Sequence, residues 1–283
     1  MRYVVFGATG QLGSFVIDSL KQEVPAESIL ALGRNEDALS DLAAKGVTVG
    51  KIDYKTPTTV SGVLKAGDRV LLISSSEVGQ RFLQHSTVIQ AAKDAGVAGI
   101  VYTSLTSATT SKSVLASEHK ATEELLAEVG VPFTVLRNNW YTENHIQDFQ
   151  QALATGAISN NYGSGKIASA PRKDYAEAAA KVLATSDFSG EVFELGGDSA
   201  WDYPEFAATV GEVLGKSVAY TEIGDEEQQS LLEGFGLDQG TAGFVTALGA
   251  GIREGALDLV TGDLSKILGR ATETLKESLQ GWA

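Results

Sequence analysis

Short apolar, β-branched runs alternate with amphipathic stretches along the first two-thirds of the chain. This alternation is typical of a parallel sheet that crossover helices cover on both faces. Most of the amphipathic stretches end at a glycine, a common C-terminal signal of helices. The pattern predicts a Rossmann-like, doubly wound α/β fold. Its six predicted strands are residues 3–8, 28–33, 47–53, 69–76, 99–105 and 133–139.

The pattern loosens after Asn139. Helices are predicted around 142–155 and over 173–185, and a strand over 191–197. From Tyr203 to the end the chain shows mainly helical patterns between Gly-rich turns.

These patterns divide the chain into two predicted parts. We expect residues 1–155 to form an NAD(P)-binding Rossmann domain, to which the 165–200 segment returns. We expect residues 156–283 to form a smaller, mainly helical lobe that covers the substrate.

The first predicted strand leads into three glycines where a helix begins. Such glycines permit a tight turn, admit a pyrophosphate and let strand and helix pack closely, while N–H groups of the helix face the phosphates. The same spacing also occurs where glycines only shape a turn. The motif predicts a dinucleotide site at Gly7, Thr9, Gly10, Gln11, Leu12 and Gly13.

Arg34 follows the second predicted strand. NAD-specific folds usually carry an acidic residue here, which binds the ribose 2′-hydroxyl. An arginine instead offers a charged fork to a 2′-phosphate, and this predicts NADPH as cofactor, with NADH weaker. The alternative is a surface arginine that pairs with Glu36 and Asp37.

Polar residues also end the third and fourth predicted strands, at the carboxyl edge where doubly wound sheets bind ligands. Asp53 and Ser74 are therefore predicted cofactor contacts. Ser75 and Ser76 fit a cofactor ribose and a helix cap equally well.

The sixth predicted strand ends in two amides and two aromatic rings. Asn138 and Asn139 can donate to and accept from a carboxamide, and Trp140 and Tyr141 offer flat faces to the cofactor and to a planar substrate. Trp140, Tyr141 and Asn139 are the predicted substrate contacts. The alternative is a hinge with buried aromatic residues. Arg172 is either a second phosphate contact or a partner of Asp174.

The Tyr-x-x-x-Lys pair of short-chain dehydrogenases, which donates a proton to a carbonyl substrate, is missing from the predicted helix. One alignment puts Leu115 at the tyrosine position and His119 at the lysine position. A shift by one residue puts Ala116 at the tyrosine position and Lys120 at the lysine position. Hydride transfer to an electron-poor acceptor such as a quinone needs less help from an acid, so we expect such an acceptor. His119 is the candidate catalytic residue, either as a partner of the nicotinamide ribose or as a proton relay. Its alternative is an ordinary helix position beside Glu123.

Charge and composition exclude several classes of function. Twenty-two basic and 36 acidic side chains give a net charge of −14, which disfavours nucleic acid and anionic membranes as partners. The absence of cysteine excludes thiol chemistry. No histidine pair has metal-ligand spacing, so we expect no metal. Without a signal-peptide pattern or a long apolar run, we expect a cytoplasmic protein, and a homodimer is compatible with the sequence.

Several segments together resemble the type-2 NAD(P)H:quinone oxidoreductases, which are NmrA-like atypical short-chain dehydrogenases related to triphenylmethane reductase. The segments are GATGQLG (7–13), LLISSSEVGQR (71–81), YTSLTSA (102–108), SEHKATE (117–123), LRNNWYTEN (136–144), GKIASAPRKDYAEAAA (165–180) and ELGGDSAW (194–201). The resemblance reaches from the first strand to about Trp201.

The resemblance implies that NADPH is held by Gly7 through Leu12, by Arg34, by the 138–143 segment and by Arg172, with a quinone stacked over the nicotinamide. This chain departs from the family at Asn139, where the family usually has glycine, and over 244–265. Because some NmrA-like proteins bind dinucleotides as redox sensors without turnover, that role is the alternative function.

Overall fold

The computed structural model describes residues 1–283 and contains nine strands. They are β1 (Tyr3–Phe6), β2 (Ile29–Gly33), β3 (Thr48–Lys51), β4 (Arg69–Leu72), β5 (Gly99–Leu105), β6 (Phe133–Asn138), β7 (Ala157–Asn160), β8 (Ser189–Leu195) and β9 (Ala219–Glu222).

Twelve α-helices connect or follow these strands. They are α1 (Gln11–Glu23), α2 (Glu36–Ala44), α3 (Pro57–Ser61), α4 (Arg81–Ala95), α5 (Ala116–Val129), α6 (Ile146–Thr155), α7 (Arg172–Thr185), α8 (Tyr203–Leu214), α9 (Asp225–Gly234), α10 (Gln239–Arg253), α11 (Asp263–Leu268) and α12 (Leu275–Gln280). None of them combines the length and the apolarity that crossing a bilayer requires.

The chain forms two compact units that do not follow chain order. The first comprises Met1–Ala108, Ser117–Asn138 and Arg172–Glu194. The second comprises Thr109–Ala116, Asn139–Pro171 and Leu195–Ala283. These compact units divide the chain at other positions than the predicted boundary between residues 155 and 156. The division into residues 1–155 and 156–283 stays a prediction about functional domains.

A seven-stranded sheet in the order β3-β2-β1-β4-β5-β6-β8 forms the centre of the first unit. The neighbouring pairs from β3 to β6 are all parallel. Strands β1, β2, β4 and β5 are buried throughout, which explains their continuous apolar runs. The predicted doubly wound fold is confirmed. The strand order reverses between β1 and β4, and such sheets bind ligands at this switch point.

The prediction of six sheet strands was one short. The strand predicted over 191–197 is β8, and it lies beside β6 in the same sheet. Most of β8 is exposed or half-buried, so its sequence lacks the apolar run that marks the central strands. Helix α7, which precedes β8, packs against α1 and returns this part of the chain to the first unit.

The second unit has its own core and its own small sheet. The core contains a group of buried aromatic side chains, Phe149, Trp201, Tyr203 and Phe206, among aliphatic ones. Strands β7 and β9 pair in parallel. Neither strand was predicted, because each has four residues and shows no continuous apolar run.

Candidate functional site

The turn between β1 and α1 lets two pieces of backbone approach very closely. Gly7 has a positive φ of 81°. A Cβ atom at Gly13 would lie 2.2 Å from the carbonyl oxygen of Gly7 and 2.7 Å from the Cα of Ala8. A larger residue at position 13 would therefore push α1 away from the turn.

The first turn of α1 provides N–H groups without a capping side chain. Its N-cap, Gly10, makes no side-chain hydrogen bond, and the first turn contains no acidic residue. The positive end of the helix dipole is therefore available to an anion. Together with the close approach at Gly13, this geometry fits the pyrophosphate of a dinucleotide. Gln11 is exposed there, whereas Leu12 points into the core.

Thr9 lies against the end of β2. A Cβ atom at Gly33 would lie 2.4 Å from the side chain of Thr9, so glycine at position 33 permits this contact. The contact brings the glycine turn and the end of β2 together. Arg34 follows directly, with about half of its side chain exposed (51%).

Arg34 forms an ion pair that neither sequence interpretation anticipated. Its Nη1 donates to Oε1 of Glu77, in the loop between β4 and α4. Of the acidic residues considered from sequence, Glu36 instead pairs with Lys51. The hydrogen bond from Arg34 lowers the pKa of Glu77, so Glu77 is a carboxylate at neutral pH.

Asp53 and Ser74 lie at the carboxyl edge, as predicted, and each supports its own loop. Oδ1 of Asp53 accepts from the backbone N–H of Lys55 at 2.9 Å. The backbone N–H of Ser74 donates to Oγ1 of Thr103 at 2.9 Å, which ties the end of β4 to β5.

A buried polar network lies behind the 74–80 loop. Nε2 of His85 accepts from the backbone N–H of Ser75 at 3.0 Å. Nδ1 of His85 therefore carries the ring proton and faces Oγ1 of Thr122, also at 3.0 Å. Burial, with the nearby charge of Arg81, lowers the pKa of His85 to about 3. His85 is thus a neutral residue of the core.

His119 is also buried, with 5% of its surface exposed. Its Nδ1 lies 2.8 Å from the hydroxyl of Tyr102 in β5. Burial, followed by the charge of Arg81, lowers the pKa of His119 well below its ordinary value. His119 is therefore neutral at physiological pH, and any proton it relays must pass through the neutral imidazole.

Two other residues considered for the helix that contains His119 have their own partners. Lys120 is exposed and lies 3.9 Å from Glu124, one turn further along α5. The carboxylate of Glu123 accepts hydrogen bonds from Arg137 and Ser104 rather than from His119.

Arg137 forms a mostly buried ion cluster near the end of β6. Its Nη2 lies 2.6 Å from Glu123, and its Nη1 lies 2.8 Å from Glu194 in β8. Glu194 also accepts from the backbone N–H of Ser107 at 2.9 Å. Ser107 has a positive φ of 52°, which is uncommon for a residue with a side chain, so Glu194 stabilises a strained turn after β5.

The remaining predicted contacts of the first unit lie at the ends of two elements. Asn138 is the last residue of β6, and its backbone oxygen accepts from the N–H of Thr106 at 2.9 Å. Arg172 begins α7, and the nearby Asp174 is fully buried.

In the second unit, Asn139 binds backbone. Its Nδ2 donates to the carbonyl oxygens of Leu257 at 3.2 Å and Leu259 at 3.4 Å, and its Oδ1 accepts from the N–H of Trp140 at 2.7 Å. Tyr141 forms a parallel bridge with Ala170. Trp140 and Tyr141 are both half-buried.

Comparison with known proteins identifies the family of this chain. A sequence profile of the NmrA-like family matches residues 2–238. The chain belongs to the NmrA-like family. Among family relatives, quinone oxidoreductase 2 of Escherichia coli K12 is 45% identical over 275 residues, which cover 97% of this chain and 96% of the relative.

Two crystal structures of similar proteins support the same assignment. The NADPH-dependent quinone oxidoreductase of Escherichia coli, complexed with NADPH, has a TM-score of 0.94 and 44% identity, over 99% of both chains. The triphenylmethane reductase of Citrobacter sp., complexed with NADP(H), has a TM-score of 0.94 and 33% identity, over all of both chains. The resemblance to NmrA-like quinone oxidoreductases is confirmed.

Sequence reasoning missed the partners of several charged residues. Glu77, Gln84 and Arg81 belong to one polar network, and Arg137 belongs to another. A partial signal was present, because Arg81, Gln84 and His85 follow helical spacing on one face of α4. A polar face of a helix is normally exposed to solvent, whereas these three side chains are buried and belong to a hydrogen-bonded network.

Proposed function

We propose that this protein is an NADPH-dependent oxidoreductase that reduces a quinone or a similar electron-poor, planar acceptor. The proposal rests on the glycine turn between β1 and α1 together with Arg34, in a chain that is 45% identical to a quinone oxidoreductase. NADPH supplies the hydride when it is bound.

The first unit provides the cofactor contacts. We propose that the first turn of α1 binds the pyrophosphate through its free N–H groups and that Arg34 binds the 2′-phosphate. Asp53, Ser74, Asn138 and Arg172 complete the proposed contacts. The carboxyl edge of the sheet, where most of these residues lie, is the usual ligand site of such folds.

The proposed reaction does not use a Tyr-x-x-x-Lys pair. A reduced quinone carries its negative charge over a conjugated ring, so protonation by solvent is adequate. We propose that the protein contributes mainly alignment of the two reactants. Trp140, Tyr141 and Asn139 remain the proposed substrate residues, and Asn139 contributes by holding the backbone of residues 257 and 259.

The decisive experiment is anaerobic mixing of the purified protein with NADPH or NADH and a panel of quinones, followed at the nicotinamide absorbance. We expect quinone-dependent oxidation of NADPH well above the rate without protein, and a slower reaction with NADH. Tight NADPH binding without turnover would contradict the enzyme and favour a redox sensor. No binding of either cofactor would contradict both functions.

A role for His119 in turnover is part of this proposal and has a separate test. We expect His119→Ala to lower the turnover number while the Kd for NADPH stays within about twofold, because the lost imidazole would act on the reacting groups. Tyr102→Phe is the matched control, since it removes the hydrogen bond to Nδ1 but keeps the imidazole. An unchanged turnover in His119→Ala would assign His119 a structural role only.

A further inference from the structure

In the ion pair between Arg34 and Glu77, a hydrogen bond from a buried side chain fixes the carboxylate of Glu77. Oε2 of Glu77 accepts from Nε2 of Gln84 at 3.0 Å, and Gln84 is only 4% exposed. Oε1 of Gln84 in turn accepts from the hydroxyl of Ser75. The backbone N–H of Glu77 donates to the same hydroxyl at 3.2 Å. The carboxylate of Glu77 is therefore fixed from its buried side.

The loop that carries Glu77 is fixed as well. Nε of Arg81 donates to the carbonyl oxygen of Ser75 at 2.7 Å. The carboxylate of Glu118 accepts from the backbone N–H groups of Gly79 at 3.0 Å and Phe82 at 3.3 Å. Because both ends of the loop are anchored, the position of Glu77 is a property of the fold.

Two cations face this fixed carboxylate. Besides Arg34, Nζ of Lys55 lies 4.0 Å from Oε2 of Glu77. Arg34 is half exposed and Lys55 is 71% exposed, so both are accessible to a ligand. An anion at Arg34 would be an alternative partner for a guanidinium that already binds a carboxylate.

We propose that Glu77 is a specificity-determining residue that competes with the 2′-phosphate of the cofactor for Arg34. The inference rests on the proposed function, since it concerns the same arginine. When phosphate binds, Arg34 exchanges one anion for another, and Glu77 stays on Gln84 with Lys55 as its remaining cation. Glu77 thereby weakens the preference for a phosphorylated cofactor and leaves binding of the unphosphorylated one almost unaffected.

The test compares affinities for two probes that differ only in the phosphate, adenosine 2′,5′-bisphosphate and 5′-AMP, by calorimetry. For Glu77→Gln we expect the ratio of the two affinities to rise about three- to tenfold in favour of the bisphosphate, because an exposed ion pair no longer competes. Glu36→Gln is the matched control, since its exposed pair with Lys51 has no buried support, and its ratio should stay unchanged.

A double-mutant cycle shows whether Glu77 acts through Arg34. In an Arg34→Ala background, Glu77→Gln should change the ratio by less than about 1.5-fold. An equal rise in both backgrounds would overturn the proposal, because Glu77 would then act only through general charge. A ratio that stays the same or falls in Glu77→Gln alone would overturn it as well.

These probes separate the inference from the proposed function. If the wild-type protein oxidises NADPH with quinone but Glu77→Gln leaves the ratio unchanged, the inference alone fails. If wild type binds the bisphosphate no better than 5′-AMP, the assignment of Arg34 fails and the inference fails with it.

Discussion

Two arginines near the carboxyl ends of strands in the same sheet bind carboxylates in very different ways. Arg137 is 14% exposed and lies between Glu123 and Glu194, whose side chains are 9% and 21% exposed. Arg34 is 51% exposed and binds the single carboxylate of Glu77. Hydrogen bonds to Glu123 raise the pKa of Arg137 above its ordinary value. Arg137 therefore has the surroundings of a structural residue, whereas Arg34 has those of a residue that exchanges partners.

The difference between them concerns what removal leaves behind. Loss of Arg137 would leave two mostly buried carboxylates without their cation, which is costly. Loss of Arg34 would leave one carboxylate that is still bound by Gln84 and partly hydrated. An arginine can therefore bind a ligand at low cost when its carboxylate partner keeps other hydrogen bonds after the arginine has left it.

The largest expected effect is on stability. Arg137→Met should lower the free energy of unfolding by about 3 kcal/mol, because it leaves the mostly buried carboxylates of Glu123 and Glu194 without a cation. Urea denaturation measures this change. Arg34→Met is the matched control, and a loss above about 1 kcal/mol there would contradict the distinction between the two arginines.

The next effect is on cofactor affinity. Arg34→Ala should weaken NADPH binding by about 1.5 to 3 kcal/mol, the size of a charged hydrogen bond, and leave NADH nearly unchanged. Titration of nicotinamide fluorescence measures both affinities. Lys51→Ala removes a neighbouring exposed cation and should change neither. Equal losses for NADPH and NADH in Arg34→Ala would remove the assignment of the 2′-phosphate to Arg34.

The third effect concerns pH and extends the comparison to a buried neutral group. The pKa of His85 is about 3 in the folded protein and about 6.5 in the unfolded chain, so between these values the unfolded state binds more protons. The contribution of His85 to stability is therefore present above pH 6.5 and is lost as pH falls towards 3.

Denaturation at pH 5.5 and 4.5 tests this sign. His85→Gln should lose about 1.4 kcal/mol per pH unit of the wild-type dependence. Val88→Ala, a buried apolar change in the same helix, should keep the wild-type slope despite a lower stability. Identical slopes in wild type and His85→Gln would show that His85 also titrates normally in the folded state.

The smallest effect is at the neighbour of Arg34. Oδ1 of Asn35 accepts from the backbone N–H of Ala38 at 3.0 Å and caps α2. Asn35→Ala should cost about 1 kcal/mol of stability and leave the ratio of NADPH to NADH affinity unchanged. Thermal melting and the same titration measure the two quantities. A changed ratio would mean that the helix cap, and not only Arg34, determines cofactor choice.

The sequence predicted the sheet well because its central strands are buried on both faces. Strands such as β1 and β4 consist of apolar residues only or nearly so, and this signal is local. Strands β7 and β9 have no such signal, because their stability comes from pairing with each other and with the aromatic core of the second unit.

The candidate site was predicted in part for the same reason. The glycine turn has a requirement that glycine alone meets, so Gly7 and Gly13 could be found from spacing. The partner of Arg34 could not be found, because Glu77 reaches it from a loop after a different strand. The buried state of His119 also depends on Tyr102 in β5, which no local pattern indicates.

The late arrival of α7 and β8 has a consequence for biosynthesis. The first unit needs α7 against α1 and β8 beside β6, yet these elements follow more than thirty residues of the second unit along the chain. At about 5 to 20 residues per second, the ribosome takes several seconds to pass from β6 to β8. During that interval the nascent sheet has β6 as an open edge, so we expect mispairing of this edge to be most frequent while residues 139–188 are being translated.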